Sequence, residues 1–166
     1  MKNHEYLGDF IQGKFHPVTK GHGEIKDVSP ADTGDLVMTL RFDHDNVDKA
    51  CMAARKAYPA WSRLPETERR SYLMRLKEIF MQHEKEIAEL ISRDTGKPLW
   101  DSTTEAKALV GKIDITLNFS NKLVAEERIK DALPQVDGVI RYRSRGPMAV
   151  LGPFNFPAHL PNGHII

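Results

Sequence analysis

Four stretches between positions 43 and 122 carry apolar residues at three- and four-residue steps, and that spacing commits the middle of the chain to helix. In the first, Val47, Ala50, Cys51, Ala54, Ala57 and Tyr58 fall on one face, with Asp43 or Asp45 placed to cap its start. Pro65, followed by Glu66 and Glu68, opens the second, whose face is Leu73, Leu76 and Phe80. Proline's fixed φ suits a first helical turn, and acidic side chains favour the positive end of the helix dipole. The third stripe, Ile87, Leu90 and Ile91, is stopped by Gly96 and Pro98. Trp100, Ala106, Val110, Ile113 and Leu117 predict a fourth, longer helix running towards Lys122.

Strands are expected on both sides of this block. Residues 6–11 and Lys14–His16 read as a short hairpin around Gln12-Gly13, and residues 18–23 as a polar loop. Residues 25–28 and Leu36–Phe42 read as strands, joined by a turn rich in Ser, Pro, Asp and Gly. After the helices, residues 126–131 read as a charged connector closed by Pro134, and residues 139–144 as a strand. Gly146-Pro147 breaks that strand before the apolar run Met148-Ala149-Val150-Leu151, the next strand. Helices in the middle with strands at both ends is an α/β or α+β pattern, with too few strands for a complete sheet.

Composition narrows the function classes. The 24 basic and 23 acidic residues nearly cancel, so there is no electrostatic case for nucleic acid or an acidic membrane surface. Neither a signal-peptide stretch near Met1 nor a segment long enough to span a bilayer is present, and one cysteine among 166 residues suits a reducing cytoplasm.

Chemistry is concentrated in residues 152–166. Gly152 and Pro153 turn the chain out of its last apolar run, and Phe154 and Phe156 flank the amide of Asn155 before Pro157. Prolines make this a rigid loop at a strand end, the place where open α/β sheets bind ligands. An amide held there can donate a hydrogen bond to an oxygen gaining charge during reaction. The ordinary alternative is that Asn155 ties down its own loop.

Other candidates are weaker. Cys51, the one thiol, lies mid-helix on an apolar stripe, without the helix N-terminus or cationic neighbour that activates a nucleophile, and reads as a small buried hydrophobe. His159 and His164 lack the further ligands of a tetrahedral zinc site, so no metal is expected. Arg141, Arg143 and Arg145 alternate along the expected strand and read as a solvated face or a subunit contact.

Several of these marks resemble the aldehyde dehydrogenase family. Pro153-Phe154-Asn155-Phe156-Pro157 is similar to that family's Pro-Trp-Asn-Phe-Pro loop, and Asp94-Thr95-Gly96-Lys97-Pro98 to its Glu-Thr-Gly-Lys-Pro. Ala53-Ala54-Arg55-Lys56-Ala57-Tyr58 with Trp61 fits its first-helix pattern. The longer run through His159-Leu160-Pro161-Asn162-Gly163-His164-Ile165 resembles the N-succinylglutamate 5-semialdehyde dehydrogenase branch.

The resemblance implies an α/β chain, the incomplete N-terminal part of the fold, in which residues 1–166 form part of a Rossmann-like cofactor-binding domain. A bridging, oligomer-forming strand is implied near residues 138–145. It implies oxidation of an aldehyde, N-succinylglutamate 5-semialdehyde of arginine breakdown, to a carboxylate with NAD or NADP, in a cytoplasmic homo-oligomer. Asn155 would be the catalytic amide that, with the backbone N–H of the nucleophilic cysteine, holds the oxyanion. Gly152, Pro153 and Phe154 would line the nicotinamide end of the cofactor site, with Phe154 replacing the usual Trp. The family's nucleophile, its water-activating Glu and its main nucleotide-binding segments follow this region. The expectation is therefore a truncated product, inactive alone and without tight cofactor binding. The competing expectation is a non-catalytic module that docks onto full-length subunits.

Overall fold

The computed structural model describes residues 4–166. The first strands, β1 (Asp9–Ile11) and β2 (Lys14–His16), pair antiparallel across Gln12 and Gly13, at φ 54° and 78°. Both turn residues are left-handed, the geometry whose twist matches a two-residue hairpin. The strand begins at Asp9 rather than at Tyr6 because Gly8 sits at φ 105°, where a Cβ would lie 2.1 Å from the His16 carbonyl oxygen. A second antiparallel pair joins β3 (Gly23–Val28) to β4 (Leu36–Phe42), with Asp32 Oδ1 accepting the Gly34 N–H inside the turn.

The helical block follows as the periodicity predicts: α1 (Asp45–Trp61), α2 (Glu66–Gln82), α3 (Glu84–Thr95) and α4 (Leu99–Asn118). His44, rather than Asp43 or Asp45, stands at the N-cap of α1 and makes no side-chain cap, while Asp43 Oδ1 accepts the Asp45 N–H at 3.0 Å just ahead of the helix. Pro65 immediately precedes α2, and Gly96 ends α3 in the left-handed conformation at φ 72°. The chain towards Lys122 tightens into a 3-10 segment, Ser120–Val124. The core lies where α3 and α4 face each other: Ala88, Ile91, Ala106, Leu109, Ile113 and Leu117 are buried. Arg70 of α2 donates to the Leu117 carbonyl at 3.2 Å, satisfying one of the free acceptors at the end of α4.

Four expectations are corrected. Residues 126–131 are not a connector: β5 (Glu127–Leu133) pairs antiparallel with β6 (Val136–Ile140) across Pro134 and Gln135. Every residue of β5 is exposed, so nothing selects the apolar alternation by which strands are recognised. The expected strand over 139–144 ends at Ile140, which leaves Arg141, Arg143 and Arg145 on irregular backbone. Arg141 there pairs with Glu126 at 2.6 Å. The apolar run 148–151 is not a strand either, since no described segment lies beside it to take its backbone hydrogen bonds; Leu151 is 92% exposed. Cys51 is exposed rather than buried, because the alanine face of α1 at Ala50, Ala53, Ala54 and Ala57 meets a hairpin as small as β1–β2, at Phe10 and Ile11, and the helix keeps no residue fully covered.

Candidate active-site loop

The last element, α5 (His159–Ile165), is seated on α4, and the loop before it carries Asn155. Two features build the seat. Asn162, buried, donates through Nδ2 to the Leu109 carbonyl at 3.3 Å. Glu105, whose side chain has no exposed surface, accepts the backbone N–H groups of Ala158 and His159 through Oε1 at 2.9 and 3.0 Å. Those amides open α5 and have no partner within the helix, so a carboxylate there meets both the free donors and the dipole.

The second oxygen of Glu105 accepts from Lys97 Nζ. Lys97 is fixed by the turn that ends α3: Gly96 is left-handed, Ser92 Oγ donates to the Lys97 carbonyl at 2.8 Å, and Pro98 leads directly into α4. From there the ammonium also donates to the backbone carbonyl of Asn155 at 3.2 Å and lies 4.4 Å from the centre of the Phe156 ring. Burial alone would raise the Glu105 pKa, but the bonds from Lys97, His159 and Ala158 outweigh it and hold the carboxyl below its ordinary range.

Asn155 is therefore anchored by its main chain. Its side-chain amide is exposed and makes no hydrogen bond among the described residues, so it does not tie down its own loop. Phe154 is 91% exposed and Pro153 half-buried beside it. At Gly152 a Cβ would come within 3.1 Å of the Pro161 ring and 3.2 Å of the Pro157 carbonyl, a tight approach to the first turn of α5. The loop thus presents an open aromatic face at Phe154 next to an unencumbered amide at Asn155.

The two histidines do not converge. His164 is exposed, whereas His159 has a buried Nδ1 without a hydrogen-bond partner. A cluster of His22, Asp43 and Asp45 lies elsewhere, at the β4–α1 corner, where His22 Nδ1 is 3.0 Å from Asp43 Oδ1 and the Asp45 N–H donates to that same oxygen. Sequence reasoning quoted Lys97 only as a motif residue and passed over Glu105. The available signal was an acidic residue on the buried face of α4, in step with Ser102, Leu109 and Ile113 and eight positions after a lysine.

The sequence profile of the aldehyde dehydrogenase family matches residues 18–166. The chain belongs to that family. An N-succinylglutamate 5-semialdehyde dehydrogenase of Chromobacterium violaceum is 40% identical over 158 residues, covering 95% of this chain and 32% of the relative. Aldehyde dehydrogenase 21 of Physcomitrella patens, solved with the reaction product succinate, superposes with a TM-score of 0.83 at 22% identity, over 98% of this chain and 34% of that one. A methylmalonate-semialdehyde dehydrogenase of Sinorhizobium meliloti, solved with NAD, superposes with a TM-score of 0.76 at 25% identity, over 97% and 32%. This aldehyde dehydrogenase chain thus spans about a third of the length of the proteins it matches, and its mixed helices and strands are the N-terminal part of their fold. Among the described residues no helix is long and apolar enough to cross a membrane.

Proposed function

We propose that these residues supply the oxyanion-binding amide of an NAD(P)-dependent oxidation of N-succinylglutamate 5-semialdehyde, a step of arginine breakdown. The observation that carries the reading is the division of labour at Asn155: its carbonyl is held by Lys97 while its side-chain amide is left free. As a nucleophile adds to an aldehyde, the carbonyl oxygen gains negative charge, and Asn155 Nδ2 donates to it. A donor already in place needs no reorganisation at that moment, and such donors contribute about 2.7–4 kcal/mol to the barrier. Pro153 and Phe154 form the adjoining wall, where the aromatic face excludes water from the nicotinamide end of the site. A bound nicotinamide cofactor supplies the hydride acceptor. Residues 1–166 are then part of the cofactor-binding domain, and the segment near 138–145, which begins in the largely exposed strand β6, is the bridging element between subunits of a cytoplasmic homo-oligomer.

The substrate assignment is supported by the 40% identity to the Chromobacterium violaceum relative. The test is a chimera in which these residues replace the matching third of that relative. NAD or NADP reduction with N-succinylglutamate 5-semialdehyde is expected. Asn155→Ala should lower turnover by about 10²–10³ with cofactor affinity near normal. Unchanged turnover in that variant refutes the role of Asn155. These 166 residues alone should reduce no cofactor, since their one thiol, Cys51, lies on α1 beside the β1–β2 hairpin.

A further inference from the structure

The Lys97–Glu105 pair does more than fill space between α3, α4 and α5. We infer that Lys97 and Glu105 are positioning residues for Asn155, a device that holds the loop by its main chain from both sides so that the amide stays free and correctly aimed; this rests on the oxyanion reading of Asn155. Lys97 grips the upstream side through the Asn155 carbonyl and the Phe156 ring. Glu105 grips the downstream side through the N–H groups of Ala158 and His159. Two residues, Phe156 and Pro157, separate Asn155 from Ala158, and Pro157 has a fixed φ. With both ends pinned to one ion pair, the intervening backbone has little freedom left.

Both partners sit on rigid supports. Lys97 follows the left-handed Gly96 and precedes Pro98; Glu105 is in the second turn of α4, in line with the Ile113 core. Asp101, at 3.8 Å, is the other carboxylate near the Lys97 ammonium, and it is more exposed than Glu105. A carboxylate kept wholly out of water is a costly way to cap one short helix. It is better accounted for if a displaced Asn155 costs more, since a misplacement of about 1 Å in a catalytic group can cost 10²-fold in rate.

Two measurements test the device. In the 166-residue chain, hydrogen exchange is followed at Ala158 and His159, with Ile113 as the core reference. Lys97→Met should speed exchange at 158 and 159 about ten- to a hundredfold while Ile113 stays slow, and Lys97→Arg should restore protection. Glu105→Gln, which keeps an acceptor oxygen but loses the charge, should give a smaller acceleration at the same amides. Acceleration at Ile113 by the same factor would show a merely structural pair and overturn the proposal. In the chimera, Lys97→Met should lower kcat with little change in the aldehyde KM, and should add nothing further in an Asn155→Ala background. Independent, multiplying effects of the two substitutions would overturn the proposal, as would normal turnover in Lys97→Met beside a loss in Asn155→Ala. Normal turnover in Asn155→Ala alone would instead remove the oxyanion reading, and the proposal with it.

Discussion

Replacing Glu105 by Ala removes three hydrogen bonds at once, and the structure sets how much that should cost. Oε1 is the acceptor for two backbone amides at 2.9 and 3.0 Å, and Oε2 is the partner of Lys97. Hydrogen bonds to a charged group contribute about 1.5–3 kcal/mol each, but three sharing one carboxylate do not add. Lys97 keeps the Asn155 carbonyl and a distant Asp101, whereas the Ala158 and His159 amides lose the partner they have. Breaking a buried pair from one side costs about 3–5 kcal/mol, and that range is expected here. The assay is urea unfolding followed by helix circular dichroism, where this loss moves the midpoint by roughly 1.5–3 M. The pH dependence supplies an independent check. The folded Glu105 carboxyl titrates below its ordinary value, so the unfolded chain binds the proton more readily. Its contribution is present above the unfolded pKa of about 4.3 and is lost as pH falls through the folded pKa. The gap between the native chain and Glu105→Gln should therefore close below about pH 4. A loss under about 1 kcal/mol, or a gap constant from about pH 7 to about pH 3, would refute the reasoning.

Two further substitutions probe the scaffold. Ile113 is fully buried between α3 and α4, and Ile113→Ala should cost about 2–5 kcal/mol by chemical denaturation. Gly96 is at φ 72° with space for a Cβ limited by Pro30 Cγ at 3.0 Å and the Ala31 amide at 3.1 Å. Gly96→Ala should therefore destabilise by more than about 1 kcal/mol, read as a fall in melting temperature, and should loosen the turn that fixes Lys97.

What was legible in the sequence is what is decided locally. The helix start at Pro65 and the stop at Gly96 follow from φ preferences within a few residues, and both stand where the sequence puts them. The β1–β2 turn follows from Gln12-Gly13 for the same reason. The misreadings have non-local causes. Charge made residues 126–131 look like a connector, whereas β5 is specified by its partner β6 and not by a buried face. Cys51 sits on a stripe of helical spacing, but burial needs a second surface, and the β1–β2 hairpin is too small to provide it. Around Asn155 the motif pointed to the loop; it could not point to Lys97 as its anchor or to Glu105, whose meaning appears only when α4 and α5 meet.

The segment 148–151 carries the same lesson into a measurement. Its composition, Met-Ala-Val-Leu between Gly146-Pro147 and Gly152-Pro153, is that of a strand buried on both faces, where an unbroken apolar run replaces alternation. Here it has irregular backbone, with Met148 65% and Leu151 92% exposed. Unpaired backbone groups next to apolar side chains are stable only in water, and the side chains oppose that solution. Supplying neighbouring strands resolves the conflict by pairing the amides and covering Leu151 together. Amide exchange at residues 148–151 should accordingly be fast in the 166-residue chain and at least about a hundredfold slower in the chimera. The change should stop at Gly152, beyond which the loop is already held by Lys97 and Glu105. Strong protection of 148–151 in the chain alone would mean that it forms its own sheet, and the strand argument would fail. Equal, fast exchange in an active chimera would sink it from the other side, because the Asn155 loop would then owe nothing to a strand before it.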